Sequence, residues 1–155
     1  MKCQKCIAHP GFHIFIKFAT VNDIMFIYSA PSKSLDSNKD GTKLENIRIH
    51  IDEFKGPWIW VWDFGGMGYK DYTDFSFNTS LFNTLAKNKY LQEIWITRSN
   101  IWIQGVISFF KTISSEPLLQ RIKFMDGSPF EIYQAFRKEG MDAEHIKWLL
   151  NEQTK

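Results

Sequence analysis

The sequence predicts an α/β fold with a mixed, mostly parallel sheet, and three observations support this prediction. From Leu44 onward, segments with helical spacing of apolar residues alternate with short apolar runs, as expected for strands joined by covering helices. The run WIWVWD at residues 58–63 is apolar on both faces, which is typical of a strand inside a parallel sheet. Two alternating segments before it predict a hairpin that begins the sheet.

The hairpin is predicted from residues 12–19 and 24–29, with a turn at Asn22-Asp23 between them. A helix follows at residues 44–54, and Gly56-Pro57 ends it. Asn100 is a suitable N-cap for the helix predicted at 101–113. The remaining predicted helices cover residues 74–87, 129–138 and 142–151, with a helical turn at 116–120, and the remaining strands cover residues 94–96 and 122–125.

Composition excludes several classes of protein. The 155 residues correspond to one domain, predicted to span residues 1–155 with a flexible terminus at 1–11. A net charge of +2 gives no electrostatic argument for a nucleic-acid partner, and two cysteines do not make a disulfide scaffold. No signal peptide or membrane span is predicted, so the expected location is cytoplasmic. The 14 Phe and 6 Trp exceed what a core of this size needs, which indicates a large apolar pocket or interface.

Motifs for nucleotide binding and for nucleophilic catalysis are absent from the sequence. The loop Gly65-Gly66-Met67-Gly68 lacks the spacing of a dinucleotide fingerprint and is not followed by Lys-Ser/Thr. There is no Gly-x-Ser-x-Gly and no Cys/His catalytic signature. His50 and His145 stand alone in predicted helices and are expected to be surface or core residues. We therefore expect a non-enzymatic protein without a cofactor.

A metal site is the less favoured interpretation of the N-terminal segment. Cys3, Cys6, His9 and His13 are ligand types that zinc prefers, at short spacing. His13, however, falls in a predicted strand, and the chain between Cys6 and His9 is too short to wrap a tetrahedron. The favoured expectation is a frayed terminus with two reduced thiols and no metal.

Two apolar surfaces in the sequence could face each other. Trp58, Trp60 and Trp62 alternate along one strand, so their indoles share a face. The helix at 101–113 has an apolar arc wider than a surface helix needs, and Gly105 lowers its rigidity by about 1 kcal/mol relative to alanine. The helix is either an ordinary core helix or a mobile lid over an apolar pocket whose floor is the indole face.

The residues from 44 to 125 resemble the Sec14-like, or CRAL-TRIO, lipid-binding domain. The resemblance rests on PWIWVWDFGGM at 57–67, on LQEIWI at 91–96, and on the segment 101–122 with Phe110-Lys111, Glu116-Pro117 and Arg121-Ile122. It departs from the family at Arg98-Ser99-Asn100, where the family has Asn-Ala-Pro. The N-terminal helical lobe of the family is missing, as in a similar short group from large DNA viruses, which would place the protein in the host cytoplasm.

The resemblance implies a sheet that forms the floor of an apolar pocket, a gate helix over it that Gly105 softens, and one bound phospholipid. Lys89 and Leu118 replace two family residues that contact phosphatidylinositol, whereas Arg121 retains a cation for phosphate. The other head-group candidates are Lys89, Arg98 and Lys123. The predicted pocket residues are Trp60, Trp62, Trp95, Trp102, Ile103, Val106, Ile107, Phe109 and Phe110.

The function that the resemblance implies is lipid binding and transfer, with phosphatidylinositol as the first candidate ligand. Exchange would take place at a membrane surface, where the protein would be peripheral and transient. The alternative is a protein-interaction module of the same fold, for example one that binds a small GTPase or a scaffold, with its own side chains filling the pocket.

Overall fold

A computed structural model describes residues 2–68 and 74–155, which form an α/β fold around one mixed sheet. The five strands are β1 (Ile16–Val21), β2 (Ile24–Ser29), β3 (Trp58–Asp63), β4 (Leu91–Thr97) and β5 (Ile122–Phe124). The six α-helices are α1 (Gln4–Ala8), α2 (Lys43–Ile51), α3 (Phe75–Ala86), α4 (Ile101–Ile113), α5 (Pro129–Lys138) and α6 (Ala143–Gln153). Short 3₁₀ helices cover Pro31–Lys33 and Pro117–Arg121.

The strands lie in sequence order, from β1 to β5. The β1–β2 pair is antiparallel, and the other three pairs are parallel. This confirms the predicted class and the predicted hairpin. The hairpin turns at Asn22 and Asp23, whose φ angles of 51° and 65° suit the tight turn that matches strand twist.

The first strand begins four residues later than predicted, at Ile16 instead of Phe12. The carbonyl of Phe12 accepts hydrogen bonds from the backbone N–H of Leu35, at 3.0 Å, and from the hydroxyl of Ser34. This segment therefore pairs with the loop after β2 and not with β2 itself. His13 consequently lies outside the sheet, which removes one argument against its acting as a metal ligand.

The terminus before β1 also differs from the expected frayed segment. Residues Gln4–Ala8 form the short helix α1, and Cys3 is buried. The other predicted helices and strands are present, and their ends agree with the prediction to within three residues. Asn100 caps α4 as predicted, because its side chain accepts hydrogen bonds from the N–H groups of Trp102 and Ile103.

The sheet separates two apolar cores. The indoles of Trp58, Trp60 and Trp62 share one side, which we call the indole face, and α2, α3 and α4 cover it. On the opposite face, Ile59, Val61 and Trp95 pack with residues of α5 and α6. Buried indole N–H groups find acceptors, since Trp60 Nε1 donates to Ser29 Oγ at 2.8 Å and Trp58 Nε1 donates to Asn88 Oδ1.

The strand ends at the carboxyl edge of the sheet meet at Asp63, which is fully buried. Its carboxylate accepts hydrogen bonds from Tyr28 Oη at 2.6 Å, from Arg98 Nε and Nη2 at 2.7 and 2.6 Å, and from the N–H of Gly65 at 3.0 Å. Burial and the bond to Asp63 raise the pKa of Tyr28 well above its usual range, so the phenol stays a donor. This network fixes the loops at the edge where β2, β3 and β4 end.

Candidate functional site

A cavity of about 520 Å³ lies on the indole face, toward the carboxyl edge of the sheet. This volume is within the range of about 300–1,000 Å³ found for small-molecule pockets. Trp60 and Trp62 of β3 form its floor, and Ile47 of α2 contributes to one wall. The apolar residues of the other walls are Phe15, Phe64, Met67, Phe77, Leu81, Phe82, Ile103 and Val106.

Polar groups line the same cavity on the side of the loop that follows β2. This loop contributes Ser32, Ser34 and Asn38, and it also contributes Leu35, which is 66% exposed and marks an opening to solvent. The charged residues of the described lining are Lys43 of α2, Asp36 and Asp74, and Lys43 Nζ lies 5.3 Å from the ring centre of Phe77. The cavity thus combines an apolar floor with a polar rim.

The predicted pocket residues divide into three groups. Trp60, Trp62, Ile103 and Val106 line the cavity. Ile107 and Phe110 are buried in the core of the indole face, beyond the lining residues. The other three do not belong to the cavity, because Trp95 lies on the opposite face of the sheet and Trp102 and Phe109 of α4 are exposed.

The displacement of Trp95 follows from strand register. Trp95 pairs with Val61 of β3, and neighbours across parallel strands point to the same face, which here is the face of α5 and α6. Its ring contacts Phe26 and Phe136, with ring centroids 5.1 and 5.2 Å away. Ile94 and Ile96 occupy the indole face of β4 in its place.

Helix α4 has apolar residues on two sides. Ile103, Ile107 and Phe110 are buried against the sheet. On the outer side, a second row of apolar residues is exposed to solvent, namely Ile101 at 73%, Trp102 at 43%, Phe109 at 51% and Ile113 at 63%. We call this row the outer stripe of α4, and it accounts for the unusually wide apolar arc in the sequence. Gly105 lies on the same side, and a methyl group there would meet open space.

The four predicted head-group residues lie away from the described cavity lining. Both carboxylate oxygens of Asp63 bind the guanidinium of Arg98, and these hydrogen bonds raise the pKa of Arg98. Arg98 adopts a left-handed backbone with φ of 50°. Its guanidinium also packs so closely on Gly65 that a Cβ at that position would lie 2.2 Å from Arg98 Cζ. Arg98 therefore has a structural role at the carboxyl edge.

The other three cations contact residues of β4 and its neighbours and do not line the cavity. Arg121 precedes β5 and donates to the backbone carbonyls of Leu91 and Gln92, at the amino-terminal end of β4. Lys89 lies just before that strand, with its Nζ 5.1 Å from the ring centre of Tyr90. Lys123 makes ion pairs with Glu93 and Glu139 and lies 5.7 Å from the ring centre of Trp95.

A second cluster of functional groups adjoins the cavity. Cys3, Cys6, His13 and His50 bring their potential ligand atoms within 4.8 Å of one another. Cys6 Sγ lies 3.4 Å from both His13 Nδ1 and His50 Nε2, and Cys3 Sγ lies 3.5 Å from His13 Nδ1. Burial raises the pKa of the Cys6 thiol and lowers the pKa of His50. The cluster is a set of groups that could hold a metal ion.

The composition of this cluster differs from the sequence motif in one member. His9 is exposed and stays outside, whereas His50 of α2 joins the two cysteines and His13. Spacing in the sequence could not have identified His50, because it lies 44 residues beyond Cys6. The sequence offered one signal for His50. It lies on the same side of α2 as Ile47 and Ile51, and those two residues face the core.

The cluster and the cavity share an aromatic wall. The ring of Phe15 stacks on His50 with centroids 4.5 Å apart, and its other neighbour is Trp60, at 5.4 Å. His13 itself lines the cavity. A shift of His13 or His50 would therefore also move the cavity wall that His13 and Phe15 form.

Comparisons with models of known protein families and with curated proteins found no match to this chain.

Proposed function

We propose that this protein binds one lipid molecule in the cavity on the indole face and exchanges it at membranes, with phosphatidylinositol as the first ligand to test. The observation that supports the proposal is the cavity itself, with Trp60 and Trp62 as its floor and Ser32, Ser34 and Lys43 on its polar side. An acyl chain placed there leaves water, and each buried CH₂ contributes about 0.8 kcal/mol.

Admission of a two-chain lipid would require α4 to move outward. The cavity volume of about 520 Å³ is of the size that holds drug-sized ligands, and a phospholipid with two full-length chains is larger. Ile103 and Val106 of α4 form part of the wall, so displacement of this helix would enlarge the cavity. Gly105 lowers the stiffness of the helix between these two residues.

The outer stripe of α4 supports exchange at a membrane. Its four large apolar side chains are between 43% and 73% exposed, and at a bilayer they would contact acyl chains instead of water. The same contact would lower the cost of opening, because surfaces uncovered beneath α4 would also meet lipid. In the described part of the chain, no helix has the length and apolarity needed to span a bilayer.

The same stripe favours a second candidate function, which is recognition of a protein partner. An exposed apolar row on one helix is a common feature of protein interfaces, and a small GTPase or a scaffold protein could cover it. In that case the cavity would hold no lipid, and its volume would be incidental. Lipid transfer by the purified protein distinguishes the two functions.

Transfer of labelled phosphatidylinositol and phosphatidylcholine between vesicles tests the proposal. Val106→Trp would place an indole in the cavity and should slow transfer by about tenfold or more, equivalent to at least ~1.4 kcal/mol. Ser108→Trp is the matched control, because Ser108 is exposed on the same helix and belongs neither to the cavity lining nor to the outer stripe, and this variant should transfer normally. Failure of the wild-type protein to transfer either lipid, or equal rates in both variants, would contradict the proposal.

The lipid head group can be located by comparing Lys43→Gln with Arg121→Gln. Lys43 lines the cavity, and loss of its charge should weaken binding of an anionic lipid by about 1 kcal/mol, or roughly fivefold, in a vesicle-based binding assay. Arg121→Gln should leave that affinity unchanged, because its guanidinium binds backbone carbonyls at the opposite edge of the sheet. The reverse result would favour the head-group position that the family resemblance implies.

The gate function of α4 predicts opposite effects of Gly105→Ala on stability and on exchange. No atom lies within 4 Å of the added methyl group, so the variant should gain about 0.5–1 kcal/mol in its free energy of unfolding, measured with urea. Lipid transfer should become slower, because a stiffer helix opens less often. Gly56→Ala, which also adds a methyl group into open space but outside α4, serves as control. A stabilised Gly105 variant with unchanged transfer would exclude bending of α4 as the gate.

A further inference from the structure

We propose that Cys3, Cys6, His13 and His50 bind one Zn²⁺ ion in a closed, structural site. Two thiolates and two imidazoles are a ligand set that zinc commonly uses in structural sites. The four residues come from three separate parts of the chain, namely the segment around α1, the turn before β1, and α2. Cys3, Cys6 and His13 are close in the sequence, and the fold adds His50 to them.

The interatomic distances match those of a tetrahedral zinc centre. Bonds of about 2.3 Å to sulfur and 2.0–2.1 Å to nitrogen place sulfur and nitrogen ligands of one tetrahedron about 3.6 Å apart. Three of the four sulfur–nitrogen distances among Cys3, Cys6, His13 and His50 are 3.4, 3.4 and 3.5 Å. All four ligand atoms also lie within 4.8 Å of one another, so small side-chain shifts would bring each of them within bonding distance of one ion.

His13 is oriented for metal binding by a buried carboxylate. Its Nε2 lies 2.5 Å from Asp36 Oδ2, and Asp36 is only 5% exposed. A carboxylate in this position accepts a hydrogen bond from the Nε2–H group. The proton therefore stays on Nε2, and the lone pair of Nδ1 is directed at the two sulfurs. Metal-bound histidines have this arrangement, with the second ring nitrogen donating to a carboxylate. The backbone N–H of His13 also donates to Cys6 Sγ at 3.4 Å.

Thiol hydrogen bonds account for only two of the three short sulfur–nitrogen contacts, because the two thiols have two protons to donate. The lone pair of His13 Nδ1 can accept one thiol proton, yet the sulfurs of both Cys3 and Cys6 lie within 3.5 Å of it. Cys6 in addition contacts His50 Nε2. An ion at the centre of the four atoms accounts for all three contacts at once, which is why we favour a metal over a cluster of neutral thiols and imidazoles.

The proposed role of the ion is structural. Four protein ligands complete a tetrahedron and leave no position for a substrate or for catalytic water. The ion would join the N-terminal segment to α2, and through Asp36 it would also hold the loop after β2 that forms the cavity rim. The site adds to the proposed lipid function and does not depend on it.

Elemental analysis and cobalt substitution of the untagged full-length protein test this site. Wild-type protein should contain about one zinc per chain, and its Co²⁺ form should show the intense visible absorption and the thiolate-to-cobalt charge-transfer band of a tetrahedral centre. Cys6→Ser and His50→Ala should lose the zinc. His9→Ala is the matched control, because His9 lies in the same segment but outside the cluster, and it should retain a full equivalent.

A second pair of variants keeps the test decisive if ligand variants fail to fold. Asp36→Asn should lower Co²⁺ affinity by about 10–100-fold through the orientation of His13, whereas Asp40→Asn, in the same loop but bound to Lys5 and Thr42, should not. Wild-type protein that contains no stoichiometric zinc and gives no tetrahedral cobalt spectrum would overturn the proposal. Loss of metal in His9→Ala, with retention in His50→Ala, would overturn the ligand set.

Discussion

The buried carboxylate of Asp63 is the constraint on which the carboxyl edge of the sheet depends. A charge removed from water in this way is stable only if its lone pairs are filled, and breaking such a pair commonly costs several kcal/mol. Tyr28, Arg98 and Gly65 supply those bonds from β2, from the end of β4 and from the loop after β3. The positions of three strand ends are therefore coupled through one side chain.

The cavity exists because this edge is held open around it. Ser32 donates to the carbonyl of Gly65 at 2.6 Å, which ties the loop after β2 to the loop after β3. Asn100, which caps α4, donates to the carbonyl of Met67 and ties α4 to that same loop. Helices α2, α3 and α4 consequently surround the indole face without filling it. A rigid polar edge and a softer apolar helix are properties that a ligand-exchange protein would need.

The sequence predicted local structure well because its signals are local. Alternation identified β2, and an apolar run on both faces identified β3, each with its observed ends. Gly56-Pro57 follows shortly after α2, and Asn100 marked the start of α4. Properties that depend on register were less accessible. Trp95 was predicted to line the pocket, but its pairing with Val61 turns it to the other face.

The Cys/His cluster and the neighbouring rim of the cavity were the least predictable parts of the structure, because they are built from contacts between distant segments. His50 approaches Cys6 across 44 residues, and Asp36 approaches His13 across 23 residues. The predicted strand at Phe12 failed for the same reason, since pairing of this residue with Leu35 replaces pairing with β2. Alternation of apolar residues cannot show which partner a segment selects. The sequence therefore identified the apolar floor of the cavity but not its rim.

The central claim is that the cavity on the indole face holds a lipid, and native mass spectrometry of the purified protein tests it most directly. A species heavier than the chain by the mass of one lipid should appear, and solvent extraction should release a molecule of that mass. The added mass should be absent when Val106→Trp blocks the cavity. A wild-type protein that purifies without lipid, and gains none after incubation with phosphatidylinositol or phosphatidylcholine vesicles, would contradict the account.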